Sequence, residues 1–286
     1  MRIVYLNGQY LPETEARVSV FDRGFLMADG VYEVASVIEG KLIDFPGHYQ
    51  RLQRSLAELD IACPVSEQEL LAIHRKLVEQ NQLAEGLVYL QITRGCSGDR
   101  DFLFPDPQTT QPTLVLFTQV KTSLVNNPLA ETGIKVISVD DIRWGRRDIK
   151  TIQLLYPSMA KMMAQKAGVD DAWFVEGGIV TEGTSSNAHI IKDGRLITRP
   201  LGKDILPGIT RGAVLNCAAA LAIPVEQRAF TLEEAQQADE AFITSATTFV
   251  LPVIEIDGVK VGDGKPGEFA RKLRQFYIEE SRKAAI

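Results

Sequence analysis

Short runs of alternating apolar and polar residues dominate the first part of the chain and predict β-hairpins. "IVYLNGQYL" alternates around Asn7-Gly8, the dipeptide that a two-residue hairpin turn favours, and "VYEVASVIEGKLIDF" turns at Glu39-Gly40. "LVYLQITR" and "TLVLFTQV" predict two further strands. Hairpins of this kind, mixed with segregated helices, are typical of an α+β fold and not of parallel βαβ units.

Helical spacing appears between these hairpins and strands. Pro46 opens a run with apolar residues at helical spacing, and Ser66 with Glu69 forms a capping box ahead of "EQELLAIHRKLVEQ". Further along the chain, "IKVISV" predicts a strand, residues 154–167 a helix, and "DAWFVEGGIV" and "HIIKDGRLIT" two hairpins. Another helix is predicted to start at Thr210.

The C-terminal part of the chain also combines predicted strands, a hairpin and helices. Thr231 and Glu234 predict a capping box, "EAFIT" a strand, and "PVIEIDGVKV" a hairpin that turns at Asp257-Gly258. An amphipathic helix is expected from about residue 266 to the end.

A polar segment suggests how the chain divides into domains. Residues 121–132, "KTSLVNNPLAET", lack helical or strand periodicity, so we expect an interdomain linker there. It would separate an N-terminal α/β domain over 1–120 from a larger C-terminal α/β domain over 133–286. The predicted class is α+β with two domains.

Composition narrows the class of protein. A net charge of −6 argues against nucleic-acid binding as the main function. Cys63, Cys96 and Cys217 are odd in number and have no C-x-x-C spacing, which predicts neither a zinc site nor a disulfide framework. The start "MRIVYLNGQYL" is typical of a strand and not of a signal peptide, and the apolar run "CAAALAI" is too short to span a bilayer. We therefore expect a cytoplasmic protein that does not bind membranes.

The motifs of several common enzyme classes are missing, so a reaction that uses a lysine amine is the main candidate for the chemistry of this chain. The chain has no G-x-G-x-x-G after a strand, no Walker A loop and no G-x-S-x-G elbow, and its three histidines share no metal-ligand spacing. Lys150 ends the basic loop "DIRWGRRDIK". Neighbouring cations and partial burial favour a neutral amine, which can attack a carbonyl to form a Schiff base. A solvated basic loop is the plain alternative.

If Lys150 forms a Schiff base, pyridoxal phosphate is the obvious partner, and it needs further groups. Glu182 in "VTEGTSSN" is a candidate carboxylate for the pyridine nitrogen, and "LPGITRG" at 206–212 a candidate anion site at a helix start. "TSATT" at 244–248 and Arg51 are candidate phosphate ligands. Each also has a plain interpretation, as a surface turn, a helix cap, a loop or a solvated arginine.

Together and in this order, the motifs resemble the fold-type IV pyridoxal phosphate enzymes, and within them the D-amino acid aminotransferases. The resemblance is carried by "DRG…DGVYEV" at 22–34, "H-x-x-R-L" at 48–52, "YLQITRG" at 89–95, "DIRWGRRDIK" at 141–150, "TEGTSSN" at 181–187, "GITR" at 208–211, "TS-x-T" at 244–247 and "PVIEIDG" at 252–258.

The resemblance implies pyridoxal 5'-phosphate as cofactor and assigns a role to each candidate residue. Lys150 would carry the Schiff base and move the Cα proton, and Glu182 would pair with the pyridine nitrogen. The phosphate side would consist of Arg51, Ile209, Thr210, Ser245 and Ala246, with Ser185 and Ser186 lining that side and Leu206 backing the ring. Tyr32 would bind the substrate carboxylate, together with Arg100 on loop 95–105 from the other subunit of a homodimer. The active site is then expected at the domain and subunit interface.

The implied reaction converts a D-amino acid, D-alanine above all, and 2-oxoglutarate into pyruvate and D-glutamate. Two positions depart from the family pattern: Phe102 stands where R-x-H has His, and Ala246 where Thr is usual. Branched-chain L-amino acid transaminase, (R)-amine transaminase and aminodeoxychorismate lyase are alternatives of the same fold, although "GVYEV" favours the D-amino acid branch. A non-enzymatic phosphate-binding protein is the alternative from another class, and it would be colourless.

Overall fold

The computed structural model describes residues 1–96 and 98–286. The strands are β1 (Ile3–Leu6), β2 (Gln9–Pro12), β3 (Gly30–Ile38), β4 (Lys41–Leu42), β5 (Glu85–Thr93), β6 (Thr113–Val120), β7 (Ile134–Asp140), β8 (Asp171–Glu176), β9 (Ile179–Gly183), β10 (Asn187–Lys192), β11 (Arg195–Thr198), β12 (Val225–Gln227), β13 (Glu240–Ser245), β14 (Phe249–Ile256) and β15 (Val259–Lys260). The helices are α1 (Arg23–Met27), α2 (Phe45–Glu58), α3 (Glu67–Gln80), α4 (Pro128–Thr132), α5 (Leu155–Lys166), α6 (Ile209–Ala220), α7 (Leu232–Gln236) and α8 (Glu268–Ala284).

The chain forms two compact units. Unit 1 contains Met1–Thr122, Ile149–Gln153 and Ala284–Ile286, and unit 2 contains Ser123–Asp148 and Leu154–Lys283. The five residues around Lys150 thus belong to unit 1, although the residues on both sides of them belong to unit 2.

Unit 1 is built on a six-stranded antiparallel sheet in the order β2-β1-β6-β5-β3-β4. The Asn7-Gly8 hairpin is confirmed, because both residues have positive φ and β1 pairs with β2. The capping box is confirmed too, since the Ser66 hydroxyl accepts from the Glu69 N–H and the Glu69 carboxylate accepts from the Ser66 N–H. Helices α2 and α3 contribute apolar side chains to the core of this unit.

Unit 2 is built on a mixed nine-stranded sheet. Its order is β12-β11-β10-β13-β14-β7-β8-β9, and β15 pairs with β14. The pairs β7–β8, β7–β14 and β11–β12 are parallel, which the hairpin pattern of the sequence does not indicate. Helix α5 connects β7 to its parallel neighbour β8. The combination of hairpins with segregated helices confirms the α+β class.

Two short helices lie where no helix is predicted. Helix α4 begins inside the segment 121–132 that we expected to be irregular, because the Asn127 side chain accepts from the Leu129 N–H and Pro128 fits the first turn. Helix α1 begins similarly after Asp22, whose side chain accepts from the Gly24 N–H. Five-residue helices bury too little surface to leave a periodic pattern. Among the described residues, no helix is long and apolar enough to cross a membrane.

Candidate active site

Lys150 is fixed by its backbone to the edge of β3 in unit 1. Its N–H donates to the Ser55 hydroxyl at 3.3 Å, and its carbonyl accepts from the Tyr32 N–H at 3.0 Å. The side chain is half-buried, with Nζ 4.1 Å from the centre of the Tyr32 ring. Within the described part of unit 1, no carboxylate pairs with this amine. The amine is therefore held against an aromatic face and is not tied up in an ion pair.

Tyr32 is itself supported by a row of aromatic rings. It stacks on Tyr89 with ring centres 5.6 Å apart, and Tyr89 stacks on Phe117 at 4.8 Å. Burial raises the pKa of the Tyr89 hydroxyl well above its usual range, so that this group stays neutral. Three adjacent strands, β3, β5 and β6, thus position the ring that faces Lys150.

Arg51 projects from α2 into a buried ion cluster of unit 1. Its Nε and Nη2 donate to the two carboxylate oxygens of Glu33, each at 2.7 Å, and His48 Nδ1 lies 2.7 Å from Glu33 Oε2. Burial alone raises the pKa of Glu33, but the Arg51 charge and the hydrogen bonds from Arg51 and His48 outweigh it and hold the pKa at about 2. Glu33 and His48 therefore fix the orientation of Arg51, a function the sequence did not reveal.

Arg100 lies on an exposed loop whose backbone is anchored in unit 1. The Arg100 guanidinium carbon is 4.8 Å from the centre of the Phe102 ring. Buried Arg23 donates to the carbonyls of Asp101 and Leu103 at 2.6 and 3.2 Å. The backbone of the loop is thus anchored at Asp101 and Leu103, while the side chains of Arg100 and Phe102 remain exposed.

Glu182 ends β9 as the buried carboxylate of unit 2. Its Oε1 accepts from Arg143 Nη1 at 2.7 Å, and its Oε2 accepts from Asn187 Nδ2 at 3.1 Å and from the Leu206 N–H at 3.0 Å. Burial raises the pKa of Glu182, and the Arg143 charge and these hydrogen bonds offset that rise only in part. A carboxylate accepts about four hydrogen bonds, so one acceptor position remains, on Oε1.

Arg143 is in turn clamped by Asp141 in a two-point contact. Arg143 Nε donates to Asp141 Oδ1 at 2.8 Å and Nη2 donates to Oδ2 at 2.7 Å. The guanidinium also lies 4.2 Å from the centre of the Phe174 ring. The plain alternative of a solvated basic loop is therefore wrong for its arginines, because Arg143, Arg146 and Arg147 are paired with carboxylates in unit 2.

The start of α6 offers unfilled backbone donors. Its N-cap is Gly208, which has no side chain to accept from the first turn, so the N–H groups of Ile209 and Thr210 lack a cap. A Cβ on Gly208 would lie 2.0 Å from Asn187 Oδ1, so only glycine fits at this helix start. The buried Ser186 hydroxyl has no hydrogen-bond partner among the described residues. Unit 2 therefore carries several unsatisfied donors suited to an anion.

The remaining predicted residues of unit 2 have simpler surroundings. Ser185 is exposed, and Leu206 is half-buried. The Ser245 hydroxyl hydrogen-bonds the Thr247 and Thr248 hydroxyls at 3.1 and 2.8 Å, and Ala246 follows it in the turn between β13 and β14. The predicted site residues are thus divided: Lys150, Tyr32, Arg51 and Arg100 lie in unit 1 and all the others in unit 2.

Unit 1 thus carries a lysine amine without an ion pair in its described part, and unit 2 carries a buried carboxylate and backbone donors without a cap. Residues 30–256 match the family described as Amino-transferase class IV, and the chain belongs to this family. It is therefore an aminotransferase, and the enzymes of this class use pyridoxal 5'-phosphate.

Individual relatives are similar over almost their full length. The chain is 39% identical over 277 residues to the D-alanine aminotransferase of Staphylococcus aureus (strain MSSA476), covering 97% of both chains. It is 39% identical to the D-alanine aminotransferase of Listeria monocytogenes serotype 4b (strain F2365), covering 97% of this chain and 95% of the relative.

Solved structures confirm the fold. The Escherichia coli branched-chain amino acid aminotransferase superimposes with a TM-score of 0.89 at 22% identity, covering 98% of this chain and 94% of that one. The branched-chain aminotransferase of Thermoproteus uzoniensis, solved with norvaline, gives a TM-score of 0.84 at 27% identity, covering 97% of this chain and 94% of that one. The expected two-domain fold of type IV is thereby confirmed.

The described residues fit the cofactor of this family. A phosphate needs N–H and hydroxyl donors, which the α6 start and the orphaned Ser186 hydroxyl offer. A protonated pyridine nitrogen needs one carboxylate oxygen with a remaining acceptor position, which Glu182 offers. The aldehyde of the cofactor needs an amine that is not held in an ion pair, which Lys150 offers.

Proposed function

We propose that the chain catalyses transamination between a D-amino acid, with D-alanine as the favoured donor, and a 2-oxo acid such as 2-oxoglutarate, giving pyruvate and D-glutamate. Two full-length relatives named D-alanine aminotransferase support this assignment at 39% identity. The neighbours of known structure are branched-chain enzymes of lower identity, and their similarity concerns the fold.

The cofactor would be held by residues of both units. Glu182 would accept from the pyridine nitrogen, and Ile209 and Thr210 would donate to the phosphate, with hydroxyls from Ser185, Ser186 and Ser245, the Ala246 N–H and the Arg51 guanidinium added. Leu206 would back the ring. When bound, pyridoxal phosphate supplies an electron sink that makes the substrate Cα–H acidic.

The protein's own groups would perform the binding and proton transfer. The Lys150 amine would take the proton from the substrate Cα and deliver it to the C4′ carbon of the cofactor, and the second half-reaction would reverse this transfer. Glu182 would keep the proton on the pyridine nitrogen. Tyr32 and Arg100 would bind the substrate carboxylate and so fix which hydrogen faces Lys150.

A single observation carries this proposal: the Lys150 amine, half-buried over Tyr32, has no carboxylate partner in the described part of its unit. Structural lysines at such positions are usually neutralised by an ion pair, because a buried, unpaired ammonium is costly. A lysine used as a nucleophile must instead remain unpaired.

We also propose that the enzyme is a cytoplasmic homodimer whose active site lies at the domain and subunit interface, with Arg100 serving the partner's site. The loop tip exposes Phe102, Leu103 and Phe104, with 77%, 76% and 61% of their surface accessible. Apolar side chains on an anchored loop are typical of a surface that another chain covers. The three free cysteines agree with a reducing compartment. Sedimentation equilibrium of the wild type and of Phe104→Asp tests the dimer.

The visible spectrum tests the reaction. The purified protein with pyridoxal phosphate should show a yellow band that D-alanine bleaches and L-alanine leaves unchanged. Bleaching by L-alanine or L-leucine alone would move the enzyme to the branched-chain branch, and bleaching by a primary amine without a carboxylate to the amine branch. No band at all would overturn the assignment of Lys150.

A further inference from the structure

The arginine next to the cofactor-binding carboxylate is not explained by the proposed function. Arg143 sits in the loop after β7 and contacts both Asp141 and Glu182, so that one guanidinium bridges two carboxylates. Only 13% of its side chain is accessible, and those of Asp141 and Glu182 are 0% and 5% accessible. A surface arginine that merely adds solubility would not be buried between two acids.

The contacts of Arg143 decide how Glu182 can act. Among the described residues, Oε2 of Glu182 has two donors and Oε1 has only Arg143. A further donor can therefore approach Oε1 and not Oε2. Asp141 fixes the guanidinium by two parallel hydrogen bonds, and the Thr181 hydroxyl donates to Asp141 Oδ2 at 2.7 Å.

The charge of Arg143 has a second consequence. Glu182 is fully surrounded by protein, and burial favours its neutral, protonated form. A neutral carboxyl group cannot balance a protonated pyridine nitrogen. The cation at 2.7 Å opposes the effect of burial and is the only side-chain cation in contact with Glu182 among the described residues.

We propose that Arg143, clamped by Asp141, is a positioning residue that keeps Glu182 ionised and presents its Oε1 to the cofactor's pyridine nitrogen. This inference rests on the proposed function for the identity of the ligand. The claim that Arg143 controls the ionisation of Glu182 concerns residues of unit 2 alone and does not depend on which ligand binds.

The first test uses the protein without cofactor, so its outcome does not depend on the proposed function. Arg143→Met removes the charge at similar length. The pKa of the Glu182 carboxyl should then rise further above its ordinary value of 4.5, because the cation that opposes the effect of burial is gone. Between that ordinary value and the raised pKa the folded variant binds more protons than the unfolded chain, so its stability should fall with rising pH. The folded-to-unfolded ratio, measured by urea titration, should drop about tenfold for each pH unit of that window.

Matched variants separate this effect from general damage. Arg147→Met removes another buried arginine that contacts Asp141 but for which no contact with Glu182 is found in the described residues. Arg147→Met should lower the free energy of unfolding. Above about pH 5 it should not change the slope of that free energy against pH. In a Glu182→Gln background, Arg143→Met should alter the slope of the unfolding free energy against pH less than it does in the wild type, because only Asp141, whose pKa Arg143 also lowers, remains to respond. Arg143→Lys keeps the charge and should restore most of the wild-type profile, and it serves as the test if Arg143→Met does not fold.

The second test uses the holoenzyme and reads its visible absorption against pH. The spectral change that follows protonation of Glu182 should move to higher pH in Arg143→Met, because the charge that opposes the effect of burial is gone. The proposal is overturned if both pH profiles of Arg143→Met match the wild type, if Arg147→Met shifts them equally, or if Arg143→Met has an equally large effect in the Glu182→Gln background. A wild-type protein that binds no cofactor would overturn the proposed function, while the urea titration would still decide the role of Arg143.

Discussion

The amine of Lys150 lies 4.1 Å from the centre of the Tyr32 ring, and the same two residues share a backbone hydrogen bond of 3.0 Å from the Tyr32 N–H to the Lys150 carbonyl. The neighbouring Thr151 forms an isolated β-bridge with Val31. Lys150 therefore lies alongside the edge of strand β3. Its backbone contacts with this strand determine where its side chain lies. A rigid strand holds a reactive group more reproducibly than a loop does.

Replacement of Lys150 should abolish the reaction. Lys150→Ala removes the amine that we propose as nucleophile and proton carrier, so turnover with D-alanine should fall by at least about a hundredfold and the yellow band should disappear. Coupled assay of pyruvate and the visible spectrum measure both. Lys135→Ala is the control, since Lys135 forms a partly exposed ion pair with Glu255 and should leave both readouts unchanged. Full activity in Lys150→Ala would exclude this residue from the chemistry.

The Glu33–Arg51 pair should be essential to the stability of unit 1. Glu33→Gln removes the carboxylate charge that faces the buried Arg51 guanidinium, which costs about 3–5 kcal/mol in the free energy of unfolding. The surface pair of Arg2 and Glu13 provides the control, because its side chains are 41% and 39% accessible and Glu13→Gln should cost less than about 1 kcal/mol. Equal losses in the two variants, measured by urea unfolding, would contradict the burial argument.

Acid should remove the stabilisation that Glu33 provides. Its pKa is held at about 2 in the folded protein, against an ordinary value of 4.5. Between these values the unfolded chain binds the extra proton, so stability from this group is complete above about pH 4.5 and is lost as the pH falls toward 2. Glu33→Gln should show a flatter loss of stability over this interval than the wild type.

The N-cap glycine of α6 and a glycine inside this helix should respond oppositely to alanine. A Cβ at position 208 meets Asn187 Oδ1 at 2.0 Å, and Asn187 is held in place by its bonds to Glu182 and the Leu206 carbonyl. Gly208→Ala should therefore cost about 1–3 kcal/mol and weaken cofactor binding. Gly212 lies in the same helix, and a Cβ added there would meet no atom within 4 Å, so Gly212→Ala should gain up to about 1 kcal/mol. Thermal unfolding and cofactor titration of both variants measure these effects. A Gly208→Ala variant more stable than the wild type would disprove the close approach to Asn187.

Phe102 should help to orient Arg100. Its ring centre lies 4.8 Å from the Arg100 guanidinium carbon, and an exposed cation–π contact contributes about 0.5–1 kcal/mol. Phe102→Ala should raise the KM for D-alanine about two- to fivefold and leave kcat nearly unchanged, if Arg100 binds the substrate carboxylate. Val120→Ala, which truncates an exposed side chain outside this loop, should change neither constant. A drop in kcat without a change in KM would place Phe102 in another role.

Local structure could be predicted from the sequence because its causes are local. The Asn7-Gly8 turn and the box of Ser66 with Glu69 each depend on residues at most three positions apart, and both are found as expected. The box predicted at Thr231 is only half formed: its hydroxyl accepts from the Glu234 N–H, while the Glu234 carboxylate pairs with Arg228. A competing charge outside the motif accounts for the difference.

The surroundings of the site could not be predicted, because they join distant residues. Arg143 and Glu182 are 39 positions apart, and the parallel pairing of β7 with β14 spans more than a hundred residues. Lys150 belongs to unit 1 because Ile149 is buried in its core and Tyr32 binds its carbonyl, which no motif in the basic loop indicates. The linker at 121–132 and the domain limits drawn from it remain a proposal.

The buried His189 of unit 2 should make the protein sensitive to mild acid. Its Nε2 lies 2.9 Å from the Thr244 hydroxyl and its ring stacks on Phe242, so that burial, together with the charge of Arg211, lowers its pKa from 6.5 to about 3. Between these values the unfolded chain binds one more proton, and stability must fall as the pH drops below 6.5.

The expected loss from His189 is about 2 kcal/mol between about pH 7 and pH 5. His189→Gln cannot titrate, so it should remove that share of the pH dependence even if it lowers stability at every pH. His74 provides a matched comparison in unit 1, because burial lowers its pKa to about 4. His74→Gln should remove a similar part of the pH dependence, independently of His189. Urea unfolding at both pH values measures each share. A variant that retains the full wild-type pH dependence would show that its histidine is already protonated in the folded protein.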